Sequence, residues 1–242
     1  MESDLLSKKL RFVPFDSGSS EHAERLRLQR VACGWAEDMI EPWRQAHEAG
    51  TKGIYWLVLR DDLPDAGNLI EKHRSKYPDE RFPLIDTSAS VLGSGRTPTA
   101  AEILPVGHIA IERQPAKDKY LGLAAGEVAW ITSLYLSYAM HNRGLGRDAM
   151  RWAEEALARE PFGARVAYLD TTDKSFQLQE HVVHAAYTER GHAVPEALRS
   201  NEEWYRHQGY EVVRRKADGY PWVTQDGEKI DIPLVFLKKQ LA

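Results

Sequence analysis

The stretch that decides the fold is VAWITSLYLSYAMHNRGLGRDAMRWAEEALAR, which runs from Val128 to Arg159. Its first nine residues are rich in β-branched and aromatic side chains, which predicts a strand over 128–136. A short basic turn with two glycines follows. The next segment predicts a helix with one apolar face, because its apolar residues recur four apart: Leu145, Ala149, Ala153 and Leu157.

The turn between strand and helix extends from His141 to Arg147 and contains Gly144 and Gly146. A helix that begins on glycines leaves backbone N–H groups unpaired and unshielded, so it can hold an anion, most simply a phosphate. Arg143 and Arg147 add positive charge at the same place. The turn therefore predicts a phosphate-bearing ligand.

Two other interpretations of the glycine pair are open. Glycine pairs before helices also occur as plain turns. The run from Gly144 to Ala149 formally fits the dinucleotide pattern G-x-G-x-x-A, and Asp170 ends the next predicted strand, where a ribose-binding acid would lie. Against a dinucleotide fold, residues 137–143 separate the strand from the first glycine. Only residues 171–242 remain for the several further strand–helix units that such a fold needs.

The composition is that of a globular protein with a sizeable core. The chain has 242 residues, of which 43% are hydrophobic and 28% charged, and a formal net charge of −4. This charge gives no general case for nucleic-acid binding. The one cysteine, Cys33, excludes an intrachain disulfide. The acidic start of the chain lacks the apolar core of a signal peptide, and no run approaches a membrane span. We therefore expect a cytoplasmic protein, with the nucleus left open, that binds neither nucleic acid nor membrane.

Periodicity and turn residues predict one domain over 1–242 that contains two inserts, 61–104 and 173–199. The predicted strands are 10–15, 55–60, 106–112, 128–136, 164–170, 210–215 and 232–239. The predicted helical regions are 21–33, 35–49 with a break at Pro42, 69–77, 145–157, part of 173–199, and 200–208. The remaining predictions are an exposed loop over 86–99, a hairpin connection over 117–127 and a loop over 218–231.

A second motif lies near the C-terminus. Ser200 and Glu203 form a capping-box pattern that predicts a helix start. Tyr205 lies in that helix, Asn201 lies four residues before it on the same face, and Gly209 ends the helix before a strand. Taken alone, Tyr205 is more often a packed core residue.

Both motifs resemble those of the GCN5-related N-acetyltransferase (GNAT) superfamily. The coenzyme A motif of that family, Gln/Arg-x-x-Gly-x-Gly/Ala, corresponds to His141-Asn142-Arg143-Gly144-Leu145-Gly146 here, with histidine in place of Gln or Arg at the first position. The family pattern Tyr-x-x-x-Gly-Phe/Tyr corresponds to the segment from Tyr205 to Tyr210. The element order from Leu10 to Leu241 also matches, and the inserts resemble those of fungal relatives.

The resemblance implies an α/β (α+β) fold with a mixed, mostly antiparallel sheet of about seven strands, splayed between strands four and five and flanked by helices. It implies that acetyl-CoA is the co-substrate and that no metal takes part. The residues that would bind the coenzyme are Leu134, Tyr135 and Leu136 through their backbones, His141, Asn142, Arg143, Gly144, Leu145, Gly146 and Arg147 around the pyrophosphate, and Asn201.

The implied reaction moves an acetyl or small acyl group from the thioester to a primary amine by direct transfer in a ternary complex. Tyr205 would protonate the departing sulfur. Some family members carry a glutamate within the fourth strand, where this chain has Trp130. Our candidates for the base are therefore Glu127, then Glu112, then His108.

The acceptor pocket of the family lies near the first two helices and the loop between the last two strands. Residues of this chain in those regions are Trp35, Asp38, Tyr220 and Trp222, beside Trp43, Glu37 and Glu41. Aromatic faces and carboxylates suit a small cationic amine, although core tryptophans and a solvated helix face would give the same pattern. We expect a small-molecule amine acceptor and a monomer or homodimer.

Three further interpretations of the sequence are open. His181 and His184 lie three apart on a predicted helix but have no third ligand, which favours a surface pair over a metal site. A GNAT-fold module that senses acyl-CoA without turnover is the alternative to an enzyme. A dinucleotide-binding oxidoreductase is a weaker alternative.

Overall fold

The structure is a computed structural model that describes residues 7–124, 126–223 and 229–241. The chain forms two compact units. Unit 1 comprises Met1–Gln114 and Ala129–Ala164, and unit 2 comprises Pro115–Val128 and Arg165–Ala242. The acidic N-terminal residues 1–4 lie outside the described residues.

The strands, in chain order, are β1 (Leu10–Pro14), β2 (Lys52–Leu59), β3 (Leu84–Ile85), β4 (Ser90–Val91), β5 (Ser94–Gly95), β6 (Glu102–Ile103), β7 (Pro105–Glu112), β8 (Val128–Leu136), β9 (Val166–Thr172), β10 (Glu211–Val223) and β11 (Lys229–Gln240). The α-helices are α1 (Ser20–Cys33), α2 (Ile40–Glu48), α3 (Ala66–Lys76), α4 (Pro115–Leu121), α5 (Leu145–Leu157), α6 (Lys174–Gln177), α7 (Glu180–Ala186) and α8 (Asn201–Arg206). Short 3-10 helices cover Glu37–Met39, Pro78–Glu80, Tyr138–Met140 and Thr188–Arg190.

The sheet of unit 1 is antiparallel, in the order β1-β2-β7-β8. Successive side chains of a strand face opposite sides, and both sides are covered here. Trp56 and Val58 of β2 belong to a core cluster with Leu26 of α1, against which Trp43 of α2 packs. On the other side, Trp152 of α5 stacks on Phe12 with ring centroids 4.0 Å apart.

Helix α5 has the amphipathic character that its spacing predicts. The four apolar residues of the predicted stripe are all 0–1% exposed: Leu145, Ala149, Ala153 and Leu157. Helix α1 also begins and ends as predicted. Ser19 caps its N-terminus, and Gly34 caps its C-terminus at a φ of 73°, a conformation that favours glycine.

The predicted insert 61–104 is more ordered than a loop. Helix α3 covers its first part, and β4 pairs with β5 in a small hairpin. The exposed loop predicted over 86–99 is wrong at Asp86, which is buried. Its carboxylate accepts from both terminal nitrogens of Arg96, at 2.6 and 2.8 Å, and from the Thr99 hydroxyl at 2.6 Å. This charge-assisted cluster organises the segment from within.

Unit 2 contains the antiparallel order β9-β11-β10. The loop predicted over 218–231 is wrong outside residues 224–228, which the structure does not describe. Tyr220 pairs with Ile232 and Trp222 with Ile230, so strand pairing continues across most of the segment. Residues 117–127 lie in the connection between the adjacent antiparallel strands β7 and β8, as predicted. The helix α4, which begins at Pro115 and extends to Leu121, was not predicted there. The partly helical character predicted for 173–199 is confirmed by α6 and α7, and its description as an insert stays a prediction.

The predicted fold class is confirmed as a mixed α/β fold with mostly antiparallel strands and accompanying helices. Apart from the two small two-stranded sheets, four strands belong to unit 1 and three to unit 2. The splay between the fourth and fifth strands and the description as one domain both stay predictions. Within 7–124, 126–223 and 229–241, no helix is long and apolar enough to cross a membrane.

Candidate functional site

Strand β8 is distorted at the residues predicted to bind the coenzyme arm. Its register against β7 shifts between Thr132 and Tyr135, so Ser133 and Leu134 lie opposite the single residue Ile109. Ser133 has a φ of +55°, which is uncommon for a residue other than glycine. A bulge of this kind interrupts the ladder and bends the strand. Backbone groups near Leu134 are therefore not all committed to β7.

The glycine turn forms the N-terminus of α5. Asn142 and Gly144 both adopt the left-handed conformation, at φ values of 63° and 74°, and Gly144 is the N-cap residue without a side-chain cap. The N–H of Asp148 makes the first helical bond, to the carbonyl of Gly144, at 3.1 Å. The N–H groups of the three residues before Asp148, Leu145 to Arg147, therefore have no partner within the helix and are suited to an anion.

The contacts of the His141 ring show how the turn accommodates histidine at the first motif position. Its Nε2 lies 3.0 Å from the carbonyl oxygen of Leu136, so Nε2–H donates to the last residue of β8. The ring also lies against Tyr138, with centroids 4.7 Å apart. His141 thus connects the turn to the end of β8 by a hydrogen bond.

Helix α3 holds the start of the same turn. His73 is fully buried, and its Nδ1 lies 2.9 Å from the Ser137 hydroxyl. That hydroxyl also accepts from the N–H of Ala139 at 3.3 Å. Burial, followed by the charges of nearby arginines, lowers the pKa of His73 to about 4, so the ring is neutral at pH 7. The insert 61–104 therefore supplies structural support for the turn.

The N-terminal segment also reaches the glycine turn. Lys9 donates from Nζ to the carbonyl of Arg143 at 2.7 Å. The buried carboxylate of Asp148 accepts from the Lys9 N–H at 3.1 Å, from the Ser7 hydroxyl and from Arg151. Sequence analysis did not identify these contacts, because about 140 residues separate the partners and no local pattern marks them.

Two of the base candidates in unit 1 have internal partners. Glu112 pairs with Lys52 and accepts from the Thr132 hydroxyl at 2.6 Å. His108 is fully buried, and its Nδ1 lies 2.8 Å from the side-chain oxygen of Gln29. Burial, with the charges of Arg30 and Lys52, lowers the pKa of His108 well below its usual range. Neither residue is free to take a proton from a substrate amine in this arrangement.

Glu127, the first-ranked base, is exposed and belongs to unit 2. It precedes the first residue of β8, whereas the glycine turn follows the last, so the whole strand separates them. Its backbone carbonyl accepts from the N–H of Arg165 at 2.9 Å. The assignment of Glu127 as the base stays a prediction, and its position adds no support.

Two tryptophans of the predicted acceptor region in unit 1, Trp35 and Trp43, contact cations of the protein itself. Asp38 lies on an exposed 3-10 turn. Trp35 accepts at its carbonyl from Nε of Arg30 at 2.7 Å. Trp43 has the guanidinium of Arg30 at 5.2 Å and the ammonium of Lys52 at 4.9 Å from its ring centroid. The Trp43 ring thus already makes cation–π contacts within the protein.

The helix that carries Tyr205 begins as predicted, since Ser200 and Glu203 form both bonds of a capping box. The Tyr205 ring packs against Trp204 and Tyr210, with centroids 4.9 and 5.8 Å away. Among the residues that the structure describes, none forms a hydrogen bond with its hydroxyl. Burial and the charge of Asp170 raise the pKa of Tyr205, which keeps the hydroxyl protonated.

Asp170 is the centre of a polar cluster in unit 2. Lys117 donates to one carboxylate oxygen at 2.7 Å, and the Tyr220 hydroxyl donates to the other. The structure therefore brings Tyr220 together with Asp170 and Lys117. No sequence motif marks Lys117, which lies in α4. Trp222 is 37% exposed. Asn201 is exposed and donates its backbone N–H to Gln177 at 2.8 Å.

His181 and His184 are both exposed, and His184 lies 3.2 Å from a carboxylate oxygen of Glu189. In the part of the chain that the structure describes, no three His, Cys, Asp or Glu side chains are grouped as a metal site.

Comparison with known proteins places this architecture in a family. The profile of the acetyltransferase (GNAT) family matches residues 59–191, more than half of the 242 residues. Among solved structures, a protein described as a GNAT-family acetyltransferase from Desulfovibrio desulfuricans superimposes with a TM-score of 0.51 at 10% identity, covering 96% of this chain and 99% of that one.

Arabidopsis thaliana NAA60, solved in complex with a bisubstrate analogue, superimposes with a TM-score of 0.50 at 11% identity, again covering 96% of this chain and 99% of that one. At these identities the likeness shows the fold alone. A search of curated proteins gives no significant sequence match. The profile match and the fold together show that the chain belongs to the GNAT acetyltransferase family.

Proposed function

We propose that this protein is an acetyl-CoA-dependent N-acetyltransferase that moves the acetyl group directly to a primary amine in a ternary complex. The observation that carries the proposal is the start of α5. There Gly144 has no side-chain cap, and the N–H groups of Leu145 to Arg147 precede the first helical bond. Exposed Arg143 and Arg147 flank these donors, which suits the coenzyme pyrophosphate.

The rest of the coenzyme would extend from this turn along β8. Backbone groups of Leu134, Tyr135 and Leu136 would pair with the amides of the pantetheine arm as an additional strand does. The bulge at Ser133 supports this role, since it removes neighbouring backbone groups from the regular ladder. His141, Asn142 and Asn201 complete the proposed coenzyme contacts.

The bound ammonium first releases one proton to water. In the transfer step the neutral amine nitrogen then attacks the thioester carbon, and the carbon–sulfur bond breaks. The backbone N–H of Leu136 or a neighbour would hold the carbonyl oxygen as it gains charge. The hydroxyl of Tyr205 would protonate the departing sulfur, and the proton released by the amine would restore it. The products are an amide and free coenzyme A.

For the acceptor we propose a small-molecule amine. The exposed carboxylates beside Trp35, above all Asp38, would attract its positive charge, and the aromatic side chains of Tyr220 and Trp222 offer faces suited to a cation. The Tyr220 hydroxyl donates to Asp170, which fixes the orientation of the side chain.

One set of observations favours an acyl-CoA sensor as a second candidate. Trp130, buried at 0% exposure, occupies the place of the strand glutamate, and Glu112 and His108 are engaged within the protein. A third candidate, the dinucleotide oxidoreductase, lacks structural support, because β8 pairs antiparallel with β7 whereas dinucleotide folds use mostly parallel sheets.

Isothermal calorimetry with acetyl-CoA and NADH tests the coenzyme assignment. We expect acetyl-CoA to bind and NADH not to bind. Gly146→Val should weaken acetyl-CoA binding by more than about tenfold, because a side chain on the first turn of α5 would crowd the phosphate. Gly146 is the better test than Gly144, whose φ of 74° would add backbone strain to any replacement.

The matched control is Gly67→Val, which also places valine in the first turn of a helix, α3, where an added Cβ meets no other atom within 4 Å. It should leave acetyl-CoA affinity unchanged. Equal affinity of the wild type and a folded Gly146→Val protein would mean that this turn does not bind the coenzyme.

A further inference from the structure

The segment Ser7–Lys9 is fixed to the glycine turn at several points. The Asp148 carboxylate accepts from the Ser7 hydroxyl and from the Lys9 N–H, and the Ser7 hydroxyl in turn accepts from the N–H of Leu10 at 2.9 Å. Asp148 and Ser7 are 5% and 8% exposed. The backbone at Lys9 therefore has a defined position beside the N-terminus of α5.

The side chain of Lys9 extends from this anchor over the turn itself. Its ammonium donates to the carbonyl of Arg143, and a Cβ built on Gly144 would lie 3.1 Å from Nζ. A lysine ammonium has three donors. Among the described residues this carbonyl is its one hydrogen-bond acceptor, and no carboxylate lies within ion-pair distance. A positive charge with two spare donors thus lies directly beside the proposed phosphate site.

The net charge at the turn depends on the same hydrogen bonds of Asp148 with Ser7 and Lys9. A carboxylate in the first turn of α5 would repel a phosphate, but Asp148 is buried and paired with Arg151. It faces the N-terminal segment through two accepted hydrogen bonds. The side chains of Lys9, Arg143 and Arg147 are left to set the charge that a ligand meets.

We propose that Lys9 binds the pyrophosphate of the coenzyme and that Asp148 positions it. This inference rests on the proposed function, because it concerns the same site. It adds the N-terminal segment to the coenzyme site, and with it a third cation beside Arg143 and Arg147. Lysine acts here as a point charge, which suits a diphosphate held mainly by backbone donors.

The test compares Lys9→Met with Lys8→Met, measured by calorimetry. Lys8 is the neighbouring residue and is exposed, so the two variants lose the same charge. The ligands are acetyl-CoA, its 3′-dephospho form and S-acetylpantetheine, which has no phosphate. Lys9→Met should lower the affinity for acetyl-CoA and for the dephospho form equally, by about tenfold, or about 1.4 kcal/mol. S-acetylpantetheine should be unaffected, Lys8→Met should change nothing, and Lys9→Arg should restore most of the affinity.

Each alternative result overturns the inference in a different way. An equal loss for S-acetylpantetheine would show that Lys9 only shapes the turn. A loss confined to the ligand with the 3′-phosphate would place Lys9 at that group instead. If the two Met variants match the wild type while the wild type binds acetyl-CoA, Lys9 has no role. If the wild type itself does not bind acetyl-CoA, the proposed function fails instead.

The positioning role of Asp148 is tested by a double-mutant cycle with the same ligand. In the wild-type background, Asp148→Asn should weaken the binding of acetyl-CoA. In the Lys9→Met background it should have little further effect on that binding, because the two residues act through one contact. Thermal unfolding of each variant shows whether the fold is kept. Equal losses in both backgrounds would mean that Asp148 acts on the helix alone and does not position Lys9.

Discussion

Tyr205 combines three properties that a proton donor requires. Its hydroxyl has no hydrogen-bond partner within the described ranges, so a ligand can accept its proton. Its pKa is raised by burial and by the charge of Asp170, so it is protonated at neutral pH. Its ring is held between Trp204 and Tyr210, which limits its movement.

Replacing Tyr205 with Phe keeps the ring and removes only the donor. We expect kcat to fall by about 10²-fold, at the low end for general acid catalysis, with little change in acetyl-CoA affinity. The fall should be smaller for a thioester with a more acidic leaving thiol, because that thiolate needs less protonation. Steady-state kinetics with both thioesters measures the effect.

The control is Tyr187→Phe, which removes a hydroxyl from another half-buried tyrosine of unit 2. It should leave kcat unchanged. Normal turnover of Tyr205→Phe with every thioester would contradict the assignment and would leave Tyr205 as a packing residue.

At the scale of single residues, sequence predicts local contacts and misses distant ones. Gly144 and the capping box around Ser200 each fix a helix start through contacts within a few residues, so a short sequence motif is enough to predict them. The contacts of Asp148 with Ser7 and of Glu112 with Lys52 depend on the folded chain. Their residue types alone are those of any solvated surface.

Among the secondary-structure elements, two buried histidines join helices to strands in unit 1. His22 of α1 accepts at Nδ1 from the N–H of Asp16 at 3.0 Å and from the indole of Trp56 at 3.1 Å. His47 of α2 accepts at Nδ1 from the N–H of Ile54 in β2 at 3.1 Å. Protonation of either ring at Nδ1 would destroy these bonds. Burial lowers the pKa of both, to about 4 for His47.

These pKa shifts predict that the protein loses stability in mild acid. A histidine in the unfolded chain titrates near 6.5, so between pH 6.5 and 4 the unfolded state binds protons that folded His47 does not. Stability then falls as pH falls. For His47 the loss between pH 7 and 5 is about 2 kcal/mol. Burial also lowers the pKa values of His73 and His108, which act in the same direction.

Glu80 opposes this trend, because burial raises its pKa to about 7. The folded state keeps a proton there that the unfolded state releases above about pH 4.5, which favours folding at lower pH. Burial lowers the pKa of His141 as well, and one carboxyl against five histidines leaves the net effect acid-destabilising. Urea unfolding at pH 7 and pH 5 should therefore show a lower free energy of unfolding at pH 5.

His47→Asn isolates one contribution, since the amide oxygen can replace Nδ1 as an acceptor without titrating. This variant should lose less stability than the wild type between pH 7 and 5. The exposed His184→Asn is the control and should leave the pH dependence as it is. If the free energy of unfolding of His47→Asn depends on pH as that of the wild type does, His47 does not contribute to the acid destabilisation.

Helices and strands were predicted correctly where the residues that determine them are close together in the sequence. Helices α1 and α8 have caps next to their own residues, α5 has a periodic apolar face, and sequence places all three closely. Residues 218–231 contain Gly, Pro and Asp that favour a loop. Pairing of Tyr220 and Trp222 with two isoleucines of β11 outweighs those preferences over the described part.

For the whole molecule, the family assignment came from two short motifs and the order of elements, and the profile match and fold confirmed it. The acceptor could not be predicted in the same way. Its contacts come from exposed side chains such as Asp38, whose sequence pattern equally fits a solvated helix face. The base is equally unassigned, because the buried candidates His108 and Glu112 have internal partners.

The central claim, that this chain transfers acetyl groups from acetyl-CoA to amines, is tested most directly by thiol release across a panel of primary amines. The panel holds amino acids, polyamines, aminoglycosides and a peptide N-terminus, with mass spectrometry of the products. We predict that at least one small amine will raise thiol release well above the rate without amine, with one amide formed per thiol. Binding of acetyl-CoA without amine-dependent thiol release from any member of the panel would contradict the account and favour the sensor.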